Sequence, residues 1–224
     1  MGTRTPGVQA AIATLDDGAR VLDAACGVGF DALSLHRRGF RVTATDASPS
    51  MVEQCRARLV AADIEIPVTT CAWAELPDRF GPTFDAALCT GNSLAHAPTR
   101  DARRAALTGF AGVLVADGPV ILDSQDWTDL HRRGSHTDHD PLVVQRDRQR
   151  VTRRFTWEVP ERFGELITLT LTLSIDGDTA ASHVVTFHPF TVDTLVEDLH
   201  AVGLSEVTVS RLPGDDRFAV VARR

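Results

Sequence analysis

Val21-Leu22-Asp23-Ala24-Ala25-Cys26-Gly27-Val28-Gly29-Phe30, followed by Asp46 seventeen residues beyond Gly29, decides how this chain folds. Val21 and Leu22 open a short buried strand. Gly27 and Gly29 let the backbone turn tightly and approach a ligand without Cβ atoms in the way, and Phe30 to Arg38 has helical spacing. Arg41-Val42-Thr43-Ala44-Thr45 supplies a second strand, and Asp46 ends it where a carboxylate can accept hydrogen bonds from both hydroxyls of a ribose. The order is strand, glycine turn, helix, strand, acid, which reads as a nucleoside-binding half-fold.

The turn by itself is ambiguous, because Gly27-Val28-Gly29-Phe30-Asp31-Ala32 also fits the dinucleotide fingerprint with alanine in its third glycine position. Asp23 separates the two readings. A carboxylate held just before the turn repels a pyrophosphate seated on the helix N-terminus, and it attracts a ligand that carries a sulfonium and an ammonium. The run from Val21 to Gly29 therefore resembles the first motif of the class I S-adenosylmethionine (SAM)-dependent methyltransferases, with a nicotinamide enzyme as the competing assignment.

Composition narrows the classes further. A chain of 224 residues suffices for one α/β domain with an insertion. The formal net charge of -7 argues against a protein that grips nucleic acid through phosphates, which needs a basic face, and favours a small-molecule substrate. No window approaches a membrane span and the N-terminus lacks the pattern of a signal peptide, so cytoplasm is the default expectation. Cys26, Cys55, Cys71 and Cys89 form no Cys-x-x-Cys pair and read as small apolar fillers in a reducing compartment. All basic residues are arginine, which excludes Schiff-base chemistry and a phosphate-loop lysine.

Strands and helices alternate after a first short helix over residues 7–16. Strands fall near 20–24, 41–45, 68–72, 84–89 and 119–124, and helices fit 30–38, 49–62 and 101–115, the pattern of a mostly parallel sheet. Past Ser124, residues 142–158, 165–175 and 179–189 are β-rich segments parted by turn residues, as in an antiparallel meander. Thr191 then starts a helix that runs to about Ala201, with Leu195, Leu199 and Val202 at core spacing. Glu206–Leu212 and Phe218–Ala222 close the chain as a hairpin. The expectation is a single domain over 1–224, α/β and Rossmann-like, with a β-rich substrate or lid region inserted at 125–190. The resemblance adds a seven-stranded sheet of order 3-2-1-4-5-7-6 whose last strand is antiparallel.

A second segment, Phe84-Asp85-Ala86-Ala87-Leu88-Cys89-Thr90-Gly91-Asn92-Ser93-Leu94-Ala95-His96, is similar to the Gly-Asn-Ser-x-Ala-His signature of the glycine N-methyltransferase branch. The resemblance implies cofactor contacts at Asp23, Ala25, Gly27, Gly29, Asp46, Ala47, Ala72, Trp73, Thr90 and His96. It implies catalytic roles for Asn92, which would orient the acceptor, and for His96, which would close over the methionine part of SAM. Substrate contacts fall at Asn92, Ser93 and Gln125. The residues also permit plainer roles: Asn92 as a turn former, Ser93 as a cap, His96 as a hydrogen-bonded structural histidine and Trp73 as core.

Three departures from the branch alter what it implies. Ala72 stands where the family has an Asn or Asp that binds the adenine amino group, so adenine recognition falls to backbone groups and apolar stacking. Gln125 stands where the family's arginine pairs with the glycine carboxylate, and glutamine supplies no charged bidentate grip. The chain has no tyrosine, so the tyrosines of the glycine pocket are missing, and only about twenty residues precede the first strand. Gln125 and the missing tyrosines make glycine an unlikely acceptor.

The expected function is thus methyl transfer from SAM to a small molecule, an amine by preference. The alternatives are O-methylation, with His96 or Asp123 as base, and a SAM-binding protein without transferase activity. The protein would act as a monomer or homodimer, without metal, nucleic acid or membrane. The polar stretch from His131 to Asp140, inside a predicted loop from Trp127 to Pro141, matches no standard metal spacing. The alternating Arg146, Arg148 and Arg150 read as a solvated strand face.

Overall fold

A computed structural model of the chain describes residues 5–138, 142–146, 149–211 and 214–224, the stretch 142–146 by its backbone alone. His139, Asp140, Pro141, Arg148 and Leu212 and the side chain of Arg146, all used in the sequence reading, lie outside the described residues.

The chain divides into two compact units, residues 1–125 with 192–224, and residues 126–191. The first opens with helix α1 (Pro6–Ala13) and then alternates strictly: strand β1 (Arg20–Asp23), α2 (Phe30–Arg37), β2 (Arg41–Asp46), α3 (Pro49–Ala61) and β3 (Val68–Thr70). A 3-10 turn at Trp73–Glu75 leads into α4 (Leu76–Phe80) and β4 (Ala86–Cys89). A second 3-10 turn, Ser93–His96, precedes α5 (Arg100–Val113) and β5 (Pro119–Gln125).

Strands β1 to β5 pair in parallel, and their order across the sheet is β5-β4-β1-β2-β3. After the second unit the chain returns as α7 (Val192–Ala201), β11 (Ser205–Ser210) and β12 (Arg217–Arg223). β12 lies antiparallel to both β5 and β11, which completes the expected seven-stranded order with its antiparallel last strand.

Burial explains the centre of this sheet. β4 and β5 are buried along their whole length and β1 from its second residue on, because helices cover both faces of a parallel sheet and leave no polar side to alternate with. Arg20, at the one exposed end, turns back onto Asp85 with a bidentate pair of 2.7 and 3.1 Å and so pins the start of β1 to the residue before β4. Caps set the helix starts: the Ser48 hydroxyl accepts the Met51 N–H ahead of Pro49, and the Thr99 hydroxyl accepts the Ala102 N–H at 3.1 Å.

Helix α5 buries Arg103, Ala106, Leu107, Phe110 and Val113, a helical stripe with one charged member. Asp198, on α7 and wholly buried, is the counter-ion. It accepts from Arg103 at 2.8 and 3.0 Å, and from Arg100 and Arg104 at 2.7 Å each. Burial alone would raise the Asp198 carboxyl, but the three guanidinium groups together hold it below the usual range.

The second unit contains α6 (Trp127–Arg133), β6 (His136–Thr137), β7 (Leu142–Arg146), β8 (Gln149–Glu158), β9 (Ile167–Ile175) and β10 (Asp178–Phe187). Its strands form one antiparallel sheet in the order β10-β9-β8-β6, with β7 also on β8. Register sorts the side chains by chemistry. Phe155 and Trp157 of β8 pair with Leu171 and Leu169 of β9 on one face, and Thr152 and Thr156 pair with Ser174 and Thr170 on the other. Trp127, fully buried, packs its ring 5.1 Å from that of Phe187.

The predicted loop over 127–141 is corrected at its start, where α6 forms because the Asp126 carboxylate accepts the N–H groups of Thr128 and Asp129. Trp127 and Leu130 then bury one face, and Gly134 ends the helix at φ +71°.

Asp198→Asn leaves Arg103 buried without a compensating charge, so urea unfolding at pH 7 should show a loss of about 3 kcal/mol or more. The Asp198 carboxyl titrates below its unfolded value near 3.9, so this contribution is complete above that pH and disappears as pH falls through the folded value. The gap between variant and parent should therefore close in acid.

Candidate active site

Parallel strands bring the carboxyl ends of β1, β2, β4 and β5 to one edge of the sheet, and the loops that leave them carry the residues singled out above. After β1 the backbone turns through Gly27 at φ +51° and Gly29 at φ +85°, a region that side chains rarely enter. A Cβ on Gly29 would also lie 2.6 Å from the Cys55 sulfur, so only glycine fits. Asp46 braces this turn from β2: one carboxylate oxygen accepts the Gly27 N–H and the other the Ser48 N–H, each at 2.9 Å. Asp23 lies beneath, 1 % exposed.

Arg58, on α3, holds the turn from the far side. Its Nε donates to the Val28 carbonyl at 2.7 Å, and its guanidinium stacks 3.8 Å above the ring of Phe30. Ala25 is half-buried within the turn and Ala47 is exposed just after β2. The four thiols are reduced and buried. The hydrogen bond to Cys55, then burial, then the nearby charge of Asp23 push the Cys26 thiol far up, and burial pushes the Cys89 thiol up. Neither is a thiolate nucleophile.

Trp73 opens the 3-10 turn after β3 and donates its indole N–H to the Ala24 carbonyl at 2.7 Å while meeting Phe110 edge to face at 5.9 Å. It is thus tied to the glycine loop as well as to α5. The Ala72 N–H is taken by the Glu75 carboxylate at 3.1 Å, and the Ala72 carbonyl accepts the Glu75 N–H at 3.0 Å. Both backbone groups of Ala72 are therefore engaged inside the chain.

The loop after β4 is held by a dense polar network. The Thr90 hydroxyl donates to Asp31, in the first turn of α2, at 2.6 Å, and the Ser93 hydroxyl donates to the Thr90 carbonyl at 2.7 Å. Gly91 and Asn92 are both left-handed, at φ +75° and +68°. Asp123 of β5 accepts the Gly91 N–H at 2.6 Å and the Asn92 N–H at 3.5 Å, and its same oxygen pairs with Arg217 at 3.0 Å. Asn92 is buried, and its side-chain carbonyl accepts the Gln125 N–H in a short bond. The Gln125 side chain, also buried, donates to the Asp216 carbonyl at 2.8 Å. His96 is exposed at the end of its 3-10 turn.

The structure therefore brings Asp23, Gly27, Gly29 and Asp46 together on one side of this edge, and Asn92, Ser93, Gln125 and Asp123 together on the other. Asp31, Arg58 and Arg217 were missed from the sequence. Asp31, second in its helix, carried a signal as the acid of a first turn; Arg58 and Arg217 carried none, because their partners are distant in the chain. Among the described residues no group of three metal-ligating side chains could hold an ion, and no helix is long and apolar enough to cross a membrane.

Comparison with known proteins agrees with this geometry. Residues 21–118 match the methyltransferase domain family. The glycine/sarcosine N-methyltransferase of Aphanothece halophytica is 32 % identical over 120 residues, 54 % of this chain and 45 % of that protein. The human glycine N-methyltransferase is 33 % identical over 128 residues, 51 % of this chain and 43 % of that protein. The chain thus spans about half the length of the curated relatives it matches.

Among solved structures, a SAM-bound amino pentose methyltransferase from Micromonospora echinaspora superposes with a TM-score of 0.78 at 22 % identity, covering 97 % of this chain and 88 % of that one. Streptomyces venezuelae DesVI gives 0.79 at 20 % identity, covering 96 % and 89 %. The fold is that of the class I SAM-dependent methyltransferases, and the sequence resembles their glycine N-methyltransferase branch.

Gly109, on α5, faces Trp73 so closely that a Cβ there would lie 2.0 Å from the Trp73 carbonyl oxygen. Gly109→Ala should lower stability by roughly 1–3 kcal/mol through overpacking and should shift the Trp73 fluorescence, both read in one thermal melt.

Proposed function

We propose that this chain, a methyltransferase domain over residues 21–118, transfers the methyl group of SAM to the nitrogen of a small-molecule amine. The observation that carries the reading is the acidic glycine turn: Asp23, Asp31 and Asp46 gather around Gly27 and Gly29, where they favour a cationic ligand over a pyrophosphate.

The residues present fit SAM. Asp46 uses one lone pair per oxygen on Gly27 and Ser48 and retains the others for two ribose hydroxyls. Asp23 supplies negative charge for the ammonium, and with Ala72 engaged internally the adenine is left to the Trp73 backbone and to stacking. SAM supplies an electrophilic methyl whose sulfonium charge is lost as the new bond forms. With SAM held there, its methyl would be open to the lone pair of the acceptor nitrogen, the carbon–sulfur pair would stay on sulfur to leave S-adenosylhomocysteine, and the extra proton on nitrogen would pass to water.

Such a displacement needs positioning and exclusion of water more than a strong base. Asn92, whose carbonyl is committed to Gln125, offers its amide hydrogens for orientation. Asp123 already accepts from Gly91 and pairs with Arg217, so its carboxylate is committed to the loop. Gln125, bonded to Asp216, provides no cation for a carboxylate, which points to an amine without one.

Calorimetry with S-adenosylhomocysteine should give micromolar-range binding, and Asp46→Ala should weaken it by about tenfold or more. Mass spectrometry across small amines, amino sugars, hydroxylated metabolites, glycine and sarcosine should find the methyl on an uncarboxylated amine, with glycine a poor acceptor. No binding would sink the reading. Binding without turnover would favour a SAM-binding protein, and methylation on oxygen would assign an O-methyltransferase.

A further inference from the structure

Arg217 enters none of the functional assignments above, yet it stands at the centre of the network behind the β4 loop. It lies on β12 directly across the strand pair from Gln125, in the register that sets Ala219 across from Asp123. Directly paired residues of antiparallel strands share a face, so Arg217, Gln125 and Asp123 project to the same side of the sheet. The Arg217 guanidinium, three-quarters buried, bonds the Asp123 carboxylate at 3.0 Å, and the Asp215 carboxylate in turn accepts the Arg217 backbone N–H at 3.1 Å.

What Asp123 holds is a backbone that does not hold itself. Gly91 and Asn92 are consecutive left-handed residues, and a non-glycine residue in that region costs on the order of 1 kcal/mol unless its surroundings impose it. Both of their amides point at one oxygen of Asp123, and this is the oxygen that Arg217 pairs with. A buried carboxylate with no cation would be expelled toward protonation or toward water, and either change would release the turn.

We propose that Arg217 and Asp123 form a positioning pair for the acceptor side of the site, holding Gly91 and Asn92 in the conformation that presents Asn92. The inference rests on the methyl-transfer reading for its functional meaning and on geometry alone for the brace. The Arg217–Asp123 pair is internally neutral. Its loss should be felt more by the acceptor than by the cofactor, whose glycine turn is braced separately by Asp46 and Arg58.

The test compares the parent protein with Arg217→Met, Arg217→Lys and Asp123→Asn. Amide hydrogen exchange needs no ligand. Arg217→Met should accelerate exchange at Gly91 and Asn92 by about tenfold or more and leave Cys26 to Gly29 within about threefold of the parent, whereas Arg217→Lys should restore most of the protection. Asp123→Asn keeps an acceptor oxygen and loses the charge, and it should fall between the two. S-adenosylhomocysteine affinity should change less than the acceptor KM, and with any amine that turns over the Arg217→Met change should appear in the acceptor KM and in kcat.

Unchanged exchange at Gly91 and Asn92 in Arg217→Met overturns the proposal. So does equal acceleration in Arg217→Lys and Arg217→Met, which would make the effect one of packing. If Arg217→Met does not fold, the lysine and asparagine variants decide between the same outcomes. Failure of the parent protein to bind S-adenosylhomocysteine would sink the methyltransferase reading and leave the exchange result standing by itself.

Discussion

The carboxylate of Asp46 joins the glycine turn after β1 to the start of α3. One oxygen carries the amide of Gly27 and the other the amide of Ser48, so the glycine turn after β1 and the start of α3 are fixed to the end of the strand between them. Its two left-handed glycines have no side chains of their own, and the turn is held by this acceptor, by the Cys26 N–H on the Thr45 carbonyl and by the Arg58 bond to Val28. Release of Asp46 would leave a glycine loop with high conformational entropy.

The two sides of the sheet edge are built on different electrostatic principles. Around the glycine turn, Asp23, Asp31 and Asp46 give an excess of negative charge that suits a cationic cofactor. Behind the β4 loop, Asp123 is balanced by Arg217, and Asn92 and Gln125 satisfy each other and the β12 turn with neutral hydrogen bonds. One side is rich in acids, and the other is fixed by hydrogen bonds. Thr90 links them, because its hydroxyl reaches back to Asp31 on α2 while its carbonyl accepts Ser93.

The same contrast explains what the chain pattern conveyed and what it concealed. Strands β1, β4 and β5 were visible as apolar runs because burial on both faces demands such runs. Helix α6 was concealed because its seven residues show only two buried positions and its cap, Asp126, is one acid among several. The polar stretch around His131 looked like a loop for the same reason: a short helix with one thin apolar stripe is stabilised by what it packs on, which local composition does not record.

Order in the chain, by itself, determined the alternation of strands and helices, the glycine turn, the acid at the end of β2 and the family signature from Gly91 to His96. Each of these depends on neighbours a few residues apart, where spacing is equivalent to geometry. Only the tertiary structure decided how those residues are engaged: Ala72 closed on Glu75, Asn92 committed to Gln125, Asp123 claimed by Arg217 and Arg58 laid over Phe30. The last three of these bonds join residues 28 to 94 positions apart, and a side chain's free donors and acceptors become known only when folding has assigned its partners.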